Sequence, residues 1–99
     1  MVTAKPFYQR TKRERRDVEQ PAIEYAQRRG WWHMKVTSPT RRAMPDDLFV
    51  RNGEYLWIEF KAEGEVPTAQ QLKRHRDMRK EGMDVRWTDD PHVAMDWLR

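Results

Sequence analysis

Two stretches flank Asn52-Gly53: the apolar run Leu48-Phe49-Val50, and residues 55–61, where Leu56, Ile58 and Phe60 alternate with Trp57, Glu59 and Lys61. Alternation is the strand period, and Asn-Gly suits a type I′ turn because both central residues take positive φ. The pattern predicts a hairpin, with Leu48–Arg51 as one strand and Glu54–Lys61 as the other. Trp31–Val36 reads as an earlier strand and Val85–Thr88 as a later one. Elsewhere the spacing is helical. A first helix is expected over Asp17–Arg29, capped by Asp17 and stopped by Gly30, with Ile23, Ala26 and Tyr25 as its apolar positions. Thr11 with Glu14 resembles a capping box and suggests an earlier start, but Pro21 favours the later one. Thr68 can cap a second helix running to about Glu81, before Gly82. Asp90-Pro91 opens a short third helix, with proline at the favoured first position. The order α-β-β-β-α-β-α predicts one α/β (mixed α+β) domain, a mixed sheet flanked by helices.

Composition narrows this picture. Ninety-nine residues make one domain with a thin core, and five Trp, three Tyr and three Phe supply much of its bulk. Cysteine is absent, which removes disulfides and thiolate metal sites and fits a cytoplasmic location. No apolar run approaches the ~20 residues of a membrane helix, and the N-terminus lacks the apolar segment of a signal peptide. The net charge of +4 is unevenly placed. Residues 1–16 hold six basic groups (Lys5, Arg10, Lys12, Arg13, Arg15, Arg16) against Glu14 alone. The other 83 residues hold 14 basic and 15 acidic groups. The chain therefore divides into a basic arm, 1–16, and a nearly neutral domain, 17–99. Basic arms commonly meet phosphate backbones, although a solvated terminus has the same composition.

The candidate chemistry lies around the hairpin. Pro45-Asp46 precedes its first strand and Glu59-Phe60-Lys61 ends its second. Alternation points Leu56, Ile58 and Phe60 to the core and Trp57, Glu59 and Lys61 to the opposite, non-core face. The turn brings Asp46 towards Glu59. Two carboxylates there form a hard-oxygen site suited to Mg²⁺ or Mn²⁺, with the Phe60 backbone carbonyl as a further ligand. Lys61 is placed to hold a water and to offset charge on a phosphate. Each motif alone is common: Pro-Asp is an ordinary turn, and Glu-x-Lys is expected where 36% of residues are charged. Their order and placement carry the reading.

With these motifs the chain resembles the PD-(D/E)xK nucleases, and within them the compact, stand-alone viral or phage type of VRR-NUC (virus-type replication-repair nuclease) domain. The likeness spans about residues 17–90. It consists of a Glu in the first helix, a Gly ending that helix, Pro-Asp, Glu-x-Lys, and a Gln-bearing helix that ends in Gly before another strand. The resemblance implies a restriction-endonuclease-like α-β-β-β-α-β core. It implies Asp46, Glu59 and Lys61 as the catalytic core, with Glu19 as the first-helix acid and metal residue. It implies Gln71 as the helix-borne Gln, with adjacent Gln70 the alternative. Family members often have Gly before Pro-Asp, where this chain has Met44.

The resemblance further implies metal-dependent endonuclease action on DNA, leaving 5′-phosphate and 3′-hydroxyl ends. It also implies a homodimer acting on branched substrates such as four-way junctions. Flap or nick cleavage is the alternative, as is a non-catalytic DNA-binding module on the same fold, which the basic arm alone would support. Arg41 and Arg42, in the loop before Pro45, are candidate DNA contacts, together with Lys35 and the arm's Lys12, Arg13, Arg15 and Arg16. The row Lys73, Arg74, Arg76, Arg79 and Lys80 is a second candidate surface. By residue pattern alone, Glu19 can be a first-turn acid favoured by the helix dipole. Gln71, His75 and Met78 at i, i+4 and i+7 suit an ordinary helix surface. His33, His75 and His92 have no ligand spacing and are poor catalytic candidates. Trp31, Trp32 and Trp57 suit core or dimer packing better than base stacking.

Overall fold

A computed structural model describes residues 12–37 and 43–99. The seven expected elements are present in the expected order. They are α1 (Arg15–Arg28), β1 (Trp32–Lys35), β2 (Asp47–Arg51), β3 (Glu54–Phe60), α2 (Ala69–Lys80), β4 (Val85–Thr88) and α3 (Pro91–Trp97).

The first helix begins earlier than expected. Glu14 is the N-cap, and its N–H donates to Asp17 Oδ2 at 3.0 Å, so Asp17 is the third helical residue rather than the cap. Pro21 consequently lies inside α1, where it has no N–H for the carbonyl of Asp17. The apolar row Val18, Ala22, Ile23 and Ala26 is buried, so packing outweighs the proline's cost. Thr11, the other candidate cap, lies outside the described residues.

The sheet has the order β1-β2-β3-β4. The first three strands are antiparallel, and β3 pairs with β4 in parallel. The parallel pair requires a crossover, which α2 supplies. Arg51 pairs with Glu54 across the hairpin, with φ of +50° at Asn52 and +81° at Gly53, as a type I′ turn demands. Lys61 extends the last ladder by one residue, its N–H donating to Thr88 O at 3.0 Å.

Register assigns the two faces. Phe49, Leu56, Ile58 and Phe60 pack with Val18, Ala22, Ala26, Ala94 and Leu98, so α1 and α3 cover one face. Trp31 joins this core and its indole N–H donates to Leu98 O at 2.9 Å. Directly opposed antiparallel residues share a face, which puts Asp47 beside Ile58 on the α1 side. The other face carries Trp57, Glu59, Val85 and Trp87. That face was expected to be non-core. The helix α2 covers its β4 side, and Glu59, His75 and Met78 are all buried there. Towards β1 the same face is open, with Trp32, Met34 and Tyr55 exposed.

Candidate active site

Residue 46 sits where β1, β2, β3 and α1 meet. Ahead of it the chain turns sharply: Ala43 takes a φ of +67°, a left-handed conformation that disfavours a side chain. This is one residue before Met44, the position where a glycine was missed from the motif. Beyond it, Asp46 Oδ2 accepts a hydrogen bond from the Phe60 N–H at 2.8 Å. Asp46 is thereby fixed to the end of β3, as the hairpin reading required. The contact uses the N–H of Phe60 and not the carbonyl expected as a ligand.

Three carboxylates converge there. Glu19, Asp46 and Asp47 each offer an oxygen within 4.8 Å of the others. Glu19 comes from the buried row of α1, one residue past Val18. Its Oε2 meets Lys35 Nζ at 2.6 Å and its Oε1 meets Arg15 Nη1 at 3.4 Å. Arg15 Nη1 also lies 3.2 Å from Asp46 Oδ1. Lys35 and Arg15, expected on DNA, are thus tied to the acids. Lys12 and Arg16 are exposed and Arg13 is half-buried, while Arg41 and Arg42 lie outside the described residues.

Asp47 was not anticipated. A second Asp after Pro-Asp reads as a polar strand start, and only register places it inwards. Its side chain is fully buried, with Oδ1 2.6 Å from His33 Nε2 and Oδ2 unpartnered. Burial pushes its carboxyl up to about 9, and the hydrogen bond and charge of Glu19 add to the rise. Burial pushes His33 down, so this pair tends to a neutral acid and a neutral imidazole. Burial and the charge of Glu59 raise Asp46, against the Phe60 N–H and Arg15. Burial alone would raise Glu19 as well. The Asp47 hydrogen bond, Lys35 and Arg15 outweigh it and hold Glu19 below the usual carboxylate range.

Glu59 lies on the other side of the sheet. Its Oε2 accepts from Gln71 Nε2 at 3.2 Å and lies 3.9 Å from Lys61 Nζ. Gln71 is placed by its helix cap. Its Oε1 accepts the Thr68 N–H at 2.9 Å, and its own N–H donates to Thr68 Oγ1 at 3.1 Å. The amide is therefore fixed with its NH₂ towards Glu59. Adjacent Gln70 is exposed, and Gln71 is the glutamine that meets Glu59. His75 is also here, its Nε2 3.6 Å from Glu59 Oε1. Two of the three histidines set aside in the sequence thus face the carboxylates. Their signal was place in the fold, since neither has a ligand spacing.

The helical basic row is partly spent on structure. Arg79 grips Val85 O at 2.6 and 3.0 Å, and Lys73 pairs with Asp77 at 3.0 Å. Arg74 Nη1 reaches Met44 Sδ, 3.8 Å away, beside the loop before Asp46.

The donor set suits a hard divalent cation. It is made of carboxylate oxygens, and Asp47 Oδ2 is buried without a hydrogen-bond donor among the described residues. Burying such an atom unpaired is costly, and a cation would satisfy it.

No family model matches the sequence. A curated protein of Acyrthosiphon pisum secondary endosymbiont phage 1, named "Putative nuclease p44", is 37% identical over 59 residues. The match covers 59% of this chain and 63% of that protein, so the chain spans under two thirds of the curated relative's length. Among solved structures, one described as a VRR-NUC domain is similar with a TM-score of 0.74 and 25% identity. That similarity covers 83% of this chain and 90% of the other.

Proposed function

We propose that this chain, which is similar in fold to a VRR-NUC domain and in sequence to a phage protein named a putative nuclease, is a metal-dependent DNA endonuclease. The observation that carries the reading is the meeting of Glu19, Asp46 and Asp47 within 4.8 Å, with Glu59 and Lys61 adjoining them at the end of β3.

Asp46, Glu59 and Glu19 would hold Mg²⁺ or Mn²⁺, with the Phe60 carbonyl and Asp47 as further oxygens. The ion supplies charge neutralisation and an acidified water to phosphodiester hydrolysis. The rest falls to the protein's own groups. Lys61 holds the attacking water and donates to a phosphate oxygen as charge builds on it. Gln71 holds Glu59 in place. The water oxygen forms a bond to phosphorus while the bond to the 3′ oxygen breaks in line, leaving 5′-phosphate and 3′-hydroxyl ends. The arm's Lys12, Arg13 and Arg16, with Arg41, Arg42 and the α2 row, would bind the DNA backbone. Arg15 and Lys35 would exchange a carboxylate for phosphate as the cation enters.

A homodimer acting on branched DNA, four-way junctions above flaps or nicks, is the favoured assembly. The open sheet face supports it, because Trp32 and Tyr55 are 57% and 62% exposed there and a second copy would bury them. Two sites related by a two-fold axis suit paired cuts.

The test is incubation with Mg²⁺ or Mn²⁺ and labelled duplex, nicked, flap, single-stranded and four-way DNA, with light scattering for mass. Metal-dependent cuts that favour the junction, from a dimer, are expected. Binding without any cleavage would leave a DNA-binding module on a nuclease fold. A monomer would remove the paired-cut reading.

A further inference from the structure

His75 is fully buried in α2, and neither of its ring nitrogens has a hydrogen-bond partner among the described residues. Buried polar groups are nearly always paired, so such a ring calls for an explanation. Among the described residues, one side-chain acid lies against it. Glu59 Oε1 is 3.6 Å from His75 Nε2, and that oxygen is also buried and unpartnered. The two orphaned atoms face each other a few tenths of an ångström beyond hydrogen-bond reach.

The second oxygen of Glu59 is already held from the same helix. Gln71 Nε2 donates to Oε2 at 3.2 Å. Gln71 and His75 are four residues apart, so they stand one turn apart on one face of α2. One helix therefore addresses both oxygens of one carboxylate, and its cap fixes the nearer of the two donors. Contacts of this kind often tighten when a ligand binds the site.

We propose that His75 is a positioning residue for Glu59: its Nε2–H closes onto Oε1 when a divalent cation binds, and fixes the plane of the carboxylate opposite Gln71. The inference rests on the reading of Glu59 as a metal-binding carboxylate. Partners that orient a metal-binding side chain typically alter metal affinity by ~10–100-fold when removed. His75 makes no contact with DNA in this account and takes no proton in the reaction.

Mn²⁺ binding without DNA, followed by the electron paramagnetic resonance of the free ion, tests it in four proteins. They are the wild type, Glu59→Gln, His75→Met and His75→Gln. Met fills the space without a donor, whereas Gln keeps an N–H within reach. The expected result is at least tenfold weaker binding by Glu59→Gln. His75→Met weakens binding about tenfold, and His75→Gln returns to within about threefold of wild type. A Glu59→Gln protein that binds Mn²⁺ like the wild type would remove the underlying reading. Weakening by Glu59→Gln with none by His75→Met, or equal loss by the Met and Gln variants, would overturn the role of His75 alone. The wild type gives a second readout that needs no variant. In Mg²⁺-loaded, ¹⁵N-labelled protein the His75 Nε2 should carry the proton. A ring protonated only at Nδ1 would contradict the proposal.

Discussion

On the α1 side of the sheet, three crowded carboxylates share Arg15, Lys35 and His33. On the α2 side, Glu59 stands alone between Gln71, His75 and a more distant Lys61. The first group is governed by charge. Burial and neighbouring acids raise Asp47 and Asp46, while the Asp47 hydrogen bond and the cations of α1 and β1 hold Glu19 down. The second group is governed by shape, because two donors from one helix address the two oxygens of one acid. An entering cation would compete with Arg15 and Lys35 in the first group. In the second it would find a carboxylate held by Gln71, with His75 placed to complete its orientation. The difference separates residues that tune charge from residues that set geometry, and it assigns different consequences to their loss.

The largest effect of a single substitution should fall on Lys61, the cation beside Glu59. Lys61→Ala should slow DNA cleavage by roughly 10²–10³-fold, since it removes a donor to charge that develops only in the transition state. Single-turnover rates at saturating Mg²⁺ would measure this, and an unchanged rate would take Lys61 out of the chemistry. On the charge side, Glu19→Gln should weaken Mn²⁺ binding by roughly tenfold, read by calorimetry. A change in rate with no change in metal affinity would break the division just drawn.

Asp47→Asn tests charge crowding through stability. A carboxyl raised from 3.8 to about 9 keeps its proton in the fold and loses it in the unfolded chain over that range. Its contribution is therefore full below about pH 4 and is lost as pH rises towards 9. Asparagine removes that loss and can still accept from His33. Without metal, the variant should melt above wild type at pH 8, and the gap should close near pH 4. A gap that widened in acid would reverse the sign of the account. The smallest effect belongs to the loop before Asp46. Ala43→Gly should relieve a left-handed residue and stabilise by about 0.5–1 kcal/mol, read from a urea midpoint.

How legible this was in the sequence depended on the range of the signal. Asn52-Gly53, Thr68 and Asp90-Pro91 act within a few residues, and the hairpin and the last two helices followed from them. The start of α1 did not, because burial of Val18 and Ala22 carries a helix through Pro21 against the local rule. Alternation divided Glu59 from Ile58 correctly, but it could not reveal that α2 covers Glu59's face. Asp47 and His33 meet because β1 and β2 pair in one register, and no spacing in the chain encodes that contact. His75 belongs to the same class, since an i+4 row looks alike whether it faces water or a carboxylate.

A cation held at the joint of Asp46 and Glu59 is the centre of the proposed chemistry. The direct test is nicking of supercoiled plasmid, with and without Mg²⁺, by the wild type and by a folded Asp46→Asn, Glu59→Gln double variant. The account predicts cleavage by the wild type with Mg²⁺, none after chelation, and none by the double variant at any metal concentration. Equal nicking by the two proteins, or nicking that survives chelation, would contradict it.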